Sequence, residues 1–267
     1  MLRNTNTNKV FYSAVFALYL LSGLFTLSAA EITLRIAIQG DFPPFSMLTG
    51  AGEHSGFDVD IATAVCLELD VQCEFIETGF ADLIPGLQNK EFDAAIASLS
   101  ITDKRRKLVA YTGKYYESPA RFVARSGAGI KVSDSGLRGK RIGVKRGTTF
   151  ENYLSDNYQG IAEISRYSSH DEALLDLVLG RLDLVLEDKI SLDQNFLSSE
   201  IGFDFEFVGV PLSDPRWFGE GIGIAVNKQD EVLRSRLDQA LLQIRADGTY
   251  QQIRQKYFDY DIYDGLE

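Results

Sequence analysis

Short apolar runs alternate with helix-period segments along almost the whole chain, and this limits the fold more than any other feature of the sequence. Thr33–Ile38, Glu74–Ile76 and Ala94–Ala97 read as strands. Between them, Phe57–Leu69 places Ile61, Ala62, Val65 and Leu69 on one helical face, and Ala81–Gln88 reads as a short helix. A second set follows, with strands at Arg121–Ala124, Arg141–Val144, Ile164–Tyr167 and Leu182–Leu186 and helices at Thr149–Asn157 and Asp171–Leu179. Phe205–Val210 and Ile222–Val226 are the last strands. The chain ends in a helix with Val232, Leu233, Leu237, Ala240, Leu241 and Ile244 on one stripe, then a second helix, Tyr250–Tyr257. Such alternation predicts α/β architecture in two lobes, each a central, largely parallel sheet flanked by helices. Gly127–Gly139, rich in Gly and Ser, reads as a loop within the second set.

The first thirty residues read as a signal peptide. Arg3 and Lys9 precede an apolar run, Val10–Leu27, and Ser28-Ala29-Ala30 offers small residues for cleavage before Glu31. A retained anchor is the alternative. The chain ends at Glu267 with no second apolar stretch, so a free exported protein is expected. Removing Arg3 and Lys9 takes the net charge from −11 to −11 − 2 = −13. So acidic a chain is unsuited to nucleic acid or to anionic membrane surfaces.

Export gives the two cysteines meaning. Cys66 and Cys73 read as a disulfide; a loop of about 8 residues contributes roughly 2.5 kcal/mol on the chain-entropy model. Two Cys and two His make a zinc site improbable, and no metal or cofactor is expected. His54 and His170 both read as surface residues.

Polar groups gather where strands end, which is where α/β sheets bind ligands. SLSITDKR, Ser98–Arg105, follows the Ala94–Ala97 run with hydroxyls at Ser98 and Ser100 and a guanidinium at Arg105. A guanidinium can fork onto a carboxylate with two parallel bonds. A surface loop with solvated charges is the plainer alternative. GVKRGTT, Gly143–Thr149, leaves a strand and enters a helix whose first N–H groups attract anions; plain capping competes with this. In GRLDLVLED, Asp188 ends a strand and can accept a ligand ammonium, cap the segment from Lys189, or do both. Phe42 and Phe80 follow strands and can sandwich an aliphatic stem, although core packing is the default for any Phe. No nucleophile elbow, HExxH or Ser/His/Asp grouping argues for an enzyme.

Taken in order, GFDVDIATAVC, FADLIPGL, SLSITDKR, GKRIGVKRGTT, GRLD, DPRWFGEGIGIAV and ADGTYQQIRQKYF are specific. Over residues 31–263 the chain resembles the family-3 periplasmic solute-binding proteins, in particular those for lysine/arginine/ornithine, histidine and arginine. The resemblance implies a periplasmic, monomeric protein of the two-lobed periplasmic-binding-protein fold (type II). Such a protein closes on a free amino acid and delivers it to an inner-membrane ABC permease complex. Lobe one would be 31–116 with 222–267 and lobe two 121–212, with hinges at 117–120 and 213–221. Arg105 would clamp the α-carboxylate with help from Ser100 and Thr149, and Ser98 would also belong to the ligand-binding set. Asp188 would take the α-ammonium, Phe80 would stack on the side chain, and Cys66 would pair with Cys73. The side-chain pocket departs from the pattern. Gln39 stands where dibasic binders often carry Asp, Phe42 replaces Tyr, Ala97 replaces Ser, and Lys145 stands where relatives carry an apolar or acidic residue. These changes oppose a lysine side chain unless Glu187 compensates. The same fold also carries cyclohexadienyl dehydratases and ligand-sensing domains, which are the alternative readings.

Overall fold

The computed structural model describes residues 32–264, together with Met1; the expected signal peptide lies outside the described residues. From Thr33 onward the chain forms one compact unit. In its first part, β1 is Thr33–Ile38, β2 Asp41–Phe42, β3 Ser46–Leu48, β4 His54–Ser55, α1 Phe57–Glu68, β5 Gln72–Glu77, α2 Leu83–Asn89, β6 Ala94–Ala95, α3 Asp103–Arg106 and β7 Val109–Tyr116. After the first crossing come β8 Ala120–Arg125, α4 Asp134–Leu137, β9 Arg141–Lys145, α5 Thr149–Tyr158, β10 Glu163–Tyr167, α6 His170–Val178, β11 Leu184–Asp188, α7 Lys189–Ser191, a π turn at Leu192–Leu197, and β12 Phe205–Leu212. The chain then returns through α8 Pro215–Phe218 to β13 Ile222–Asn227, α9 Glu231–Ala246 and α10 Thr249–Tyr257.

Two five-stranded sheets result, ordered β5-β1-β6-β13-β7 and β10-β9-β11-β8-β12. In each, three neighbouring strands run parallel and the remaining two pair antiparallel. The parallel strands are apolar because helices cover both faces. Ile36, Ala94 and Ala95 have no exposed surface on one sheet, nor do Ile142 and Leu184 on the other. The chain crosses between the sheets twice, between Tyr116 and Ala120 and between Leu212 and Ile222.

The core of the first sheet is aromatic. Phe45 stacks on Tyr116 with ring centroids 4.6 Å apart, and Phe57 meets Tyr115, Tyr116 and Phe258 within 6.2 Å. Cys66 of α1 is bonded to Cys73 of β5, tying helix to sheet edge. Sequence periodicity finds α1 to within a residue but passes over β7. That strand, VAYTGKYY, is interrupted by exposed Gly113, and its pairing with β13 slips register twice. Bulged pairing of this kind breaks the alternation that marks a strand. β11 runs two residues beyond the expected Leu182–Leu186, so Asp188 belongs to it. The expected loop at Gly127–Gly139 contains α4, capped by Ser133, whose Oγ accepts from Gly136 N at 3.2 Å.

Candidate ligand cleft

The loop after β6 is set by a buried carboxyl. Asp58, in the first turn of α1, accepts from Ser98 Oγ at 2.9 Å and from Tyr115 OH at 2.8 Å. Ser98 is thereby held with φ 53°, a conformation that costs a non-glycine residue energy unless its surroundings fix it. Burial raises the Asp58 carboxyl to about 7, against the pull of its two hydroxyl donors. Thr102 then caps α3 by accepting from Arg105 N at 3.2 Å, which turns the Arg105 side chain back beneath the loop.

Arg105 is 7 % exposed. Its Nη1 donates to Ser100 O at 3.1 Å. Its Nη2 donates across to Gly147 O, in the turn between β9 and α5, at 3.3 Å. The guanidinium lies 5.3 Å from the centre of the Phe80 ring. Burial lowers its affinity for a proton, yet an arginine starts so high that it stays charged. Gly147 takes φ +78°, which glycine adopts without penalty, and so delivers the chain to the start of α5. There Thr148 accepts from Glu151 N at 3.2 Å. The cap is thus Thr148, which leaves Thr149 buried at the first helical position, facing the cleft.

Asp188 ends β11 and is buried. Its Oδ1 accepts from Ser191 N at 3.0 Å, so it caps the next helix and still lines the cleft. Burial lifts its carboxyl to about 6, opposed by the bonds from Ser191 and Ser118 and reinforced by neighbouring Glu187.

The cleft between the sheets is a cavity of about 540 Å³. Gln39, Phe42, Phe80, Ser98, Ser100, Thr149 and Asp188 line it. Arg105 and Lys145, also expected in the site, form buried ends behind that lining. Lys145 Nζ lies 2.9 Å from Gln39 Oε1 and 3.3 Å from Asp41 Oδ2, while Gln39 Nε2 donates to Ala97 O at 3.1 Å. The Ser98 hydroxyl is committed to Asp58. Further bonds join the two sides: Asn195 Nδ2 donates to Pro43 O at 2.6 Å and Lys104 Nζ to Asn152 Oδ1 at 3.3 Å.

Three features escape sequence reading. Asp58 passes there as an ordinary first-turn acid; the signal available was its place between Phe57 and Val59, all buried. Asp41 becomes visible only once β9 is docked against it. His170 is a correction: expected at the surface, it is 6 % exposed, stacks on Phe42 at 5.0 Å and lines the cleft. His54, also expected at the surface, is half-buried in β4. Among the described residues no cluster of three or more His, Cys, Asp or Glu could hold a metal ion.

This chemistry suits a small zwitterion: a helix start, a buried carboxylate and aromatic rings line one cavity, with a buried guanidinium behind its wall. The pattern of the bacterial extracellular solute-binding proteins, family 3, matches residues 34–260. The chain belongs to this family. The L-arginine-binding protein of Pseudomonas aeruginosa is 44 % identical over 236 residues, 88 % of this chain and 91 % of that protein. The histidine-binding periplasmic protein of Salmonella typhimurium is 38 % identical over 234 residues, 87 % and 90 % of the two chains. Among solved structures, a Salmonella typhimurium periplasmic binding protein of high arginine specificity superposes with a TM-score of 0.78 at 34 % identity. That match covers 85 % of this chain and 99 % of the other. The family fold is the two-lobed periplasmic-binding-protein fold, and the two sheets described above are its lobes.

Proposed function

We propose that this protein is the periplasmic binding component of a polar or basic amino-acid ABC transporter. It takes one free amino acid into the cleft and presents the closed form, as a monomer, to an inner-membrane permease complex. One observation carries the reading. Asp188, from the second sheet's side, lines the cavity, and Arg105, from the first, is buried behind its wall and reaches across to Gly147 O. The ligand α-carboxylate goes to Arg105, with Ser100 and Thr149, and the α-ammonium to Asp188. Neither lobe holds both partners, so a zwitterion stabilises the closed form over the open one. Hinges at 117–120 and 213–221 would carry the motion between lobe one, 31–116 with 222–267, and lobe two, 121–212. The names of the relatives support the ligand class, and the cleavable leader expected at residues 1–30 supports export.

A dehydratase reading on the same fold draws on one observation, the Asp188 carboxyl near 6. Its bond from Ser191 and its place opposite Arg105 fit an ammonium partner better. A thermal-shift screen of the purified protein against free amino acids tests the proposal. A ligand at a hundred times its Kd stabilises by about 2.7 kcal/mol. A stabilised protein that leaves the amino acid unchanged supports binding, and no shift with any amino acid refutes it.

A further inference from the structure

Behind the cleft wall lies a buried carboxylate that the zwitterion clamp does not use. Glu187 precedes Asp188 on β11, and alternation along a strand sends the two side chains to opposite faces. Glu187 has no exposed surface, and neither of its oxygens has a hydrogen-bond partner among the described residues. Nearest to it is His170 at the start of α6, whose Nδ1 lies 3.4 Å from Glu187 Oε1 without a formed hydrogen bond. His170 and Phe42 line the cleft; they also line a second cavity of about 420 Å³, whose wall includes Glu187 and Asp41. The imidazole is therefore a partition, with the ligand cleft on one side and a lone carboxylate on the other.

Most carboxyls around the cleft have a partner. Asp41 is matched with Lys145, Asp58 accepts from the hydroxyls of Ser98 and Tyr115, and Asp188 accepts from Ser191 N. Lys114 pairs with Glu117 at 2.6 Å and Arg106 with Glu220 at 3.1 Å. Asp171 is exposed beside His170. Glu187 is buried with neither a bonded donor nor a lysine or arginine against it among the described residues, and it lies behind the histidine.

We propose that Glu187, acting through His170, makes this cleft select amino acids whose side chain carries a positive charge. The inference rests on the amino-acid-binding reading above. A carboxylate 3.4 Å from Nδ1 favours the proton on that nitrogen, which leaves Nε2 as the acceptor of a ring that lines the cleft. A guanidinium or ammonium donates an N–H to that acceptor, and in these dry surroundings it also feels the charge of Glu187. A neutral side chain of the same shape keeps the hydrogen bond and loses the attraction. Lys145 does not cancel the effect, because Asp41 and Gln39 already hold its amine. Glu187 and His170 thus act as specificity residues, and they supply the negative charge that Gln39 does not.

Calorimetry with matched ligand pairs tests this. L-arginine and L-citrulline differ chiefly in side-chain charge, whereas L-lysine and L-norleucine differ in charge and in the N–H donor as well. The wild-type protein should bind the cationic member of at least one pair ten or more times more tightly. In Glu187→Gln, which keeps the shape, that ratio should fall at least fivefold while the neutral member keeps its affinity. His170→Gln should narrow the ratio in the same way, and it decides the matter if Glu187→Gln does not fold. The proposal is overturned if the wild type shows no preference for charge, or if the ratio is unchanged in a folded variant. Binding of amino acids without charge preference overturns this inference alone; binding of no amino acid overturns the parent reading as well.

Discussion

At the clamp end of the cleft, Arg105 reaches from one lobe and Asp188 from the other, and each is fixed by backbone bonds: Ser100 O and Gly147 O for the first, Ser191 N for the second. At the side-chain end, Lys145 bonds Gln39 and Asp41, while Glu187 stands 3.4 Å from His170 and is left without a bond. In the proposed reading the clamp meets atoms that every amino acid carries, so its geometry can be anchored to backbone. In that reading the far end meets the atoms that differ between amino acids; it is built mainly from side chains, with Gln39 also tied to Ala97 O. A change at the clamp should therefore weaken all ligands together. A change at the far end should reorder them.

The largest effect is expected from Arg105→Ala. Removing one partner of a buried charge pair costs about 2–5 kcal/mol of binding. Calorimetry should show the loss for every amino acid, with far-ultraviolet circular dichroism unchanged. A loss confined to one ligand would break the distinction between the two ends.

Next comes Asp188→Asn, which keeps a helix cap and removes the ammonium partner. Amino acids should lose about 2 kcal/mol or more, and deaminated analogues much less. Equal losses would make Asp188 a cap and nothing else.

Proton linkage separates ligand binding from fold stability. Asp188, near 6 in the ligand-free protein, must be ionised to hold an ammonium. Affinity for amino acids should therefore fall as pH drops through 6, by about tenfold between pH 7.5 and 5. Stability runs the other way. Asp58 and Asp188 titrate higher in the folded than in the unfolded chain, so the protonated fold is favoured at low pH and this stabilisation is lost as pH rises through 6 to 7. Within that window the ligand-free melting temperature should decline as affinity improves. A parallel rise of both would show that neither carboxyl is raised by burial.

The smallest effect belongs to Lys145→Met. Its pairing with half-exposed Asp41 is of the kind that contributes about 1 kcal/mol or less. The variant should bind cationic side chains slightly better, with little change for neutral ones. A uniform loss for all ligands, measured by the same calorimetry, would move Lys145 into the clamp.

How much of this could be read from sequence follows the same division. SLSITDKR, GVKRGTT and GRLDLVLED place Arg105, Thr149 and Asp188 at strand ends, and strand ends in an α/β chain converge. Local pattern therefore sufficed to bring these three positions to the cleft side of the sheets. The pairings of Lys145 with Asp41 and of His170 with Glu187 join residues 104 and 17 positions apart. Neither leaves a local trace, because each depends on how two sheets or a helix and a strand dock. Asp58 is hidden for another reason: a first-turn acid is expected from the helix dipole alone, and its burial shows only once Tyr115 and Ser98 are in place. β7 escaped because its register slips remove the periodicity that would have marked it.

The central claim is that one ligand joins two lobes, and small-angle X-ray scattering of the exported protein, with and without a confirmed amino acid, tests it most directly. The structure has its cleft drawn shut by bonds between Arg105 and Gly147, Lys145 and Gln39, and Asn195 and Pro43. The account predicts that the ligand-saturated protein scatters as this structure does and that the ligand-free protein has a larger radius of gyration. An unchanged radius at saturating ligand would contradict it.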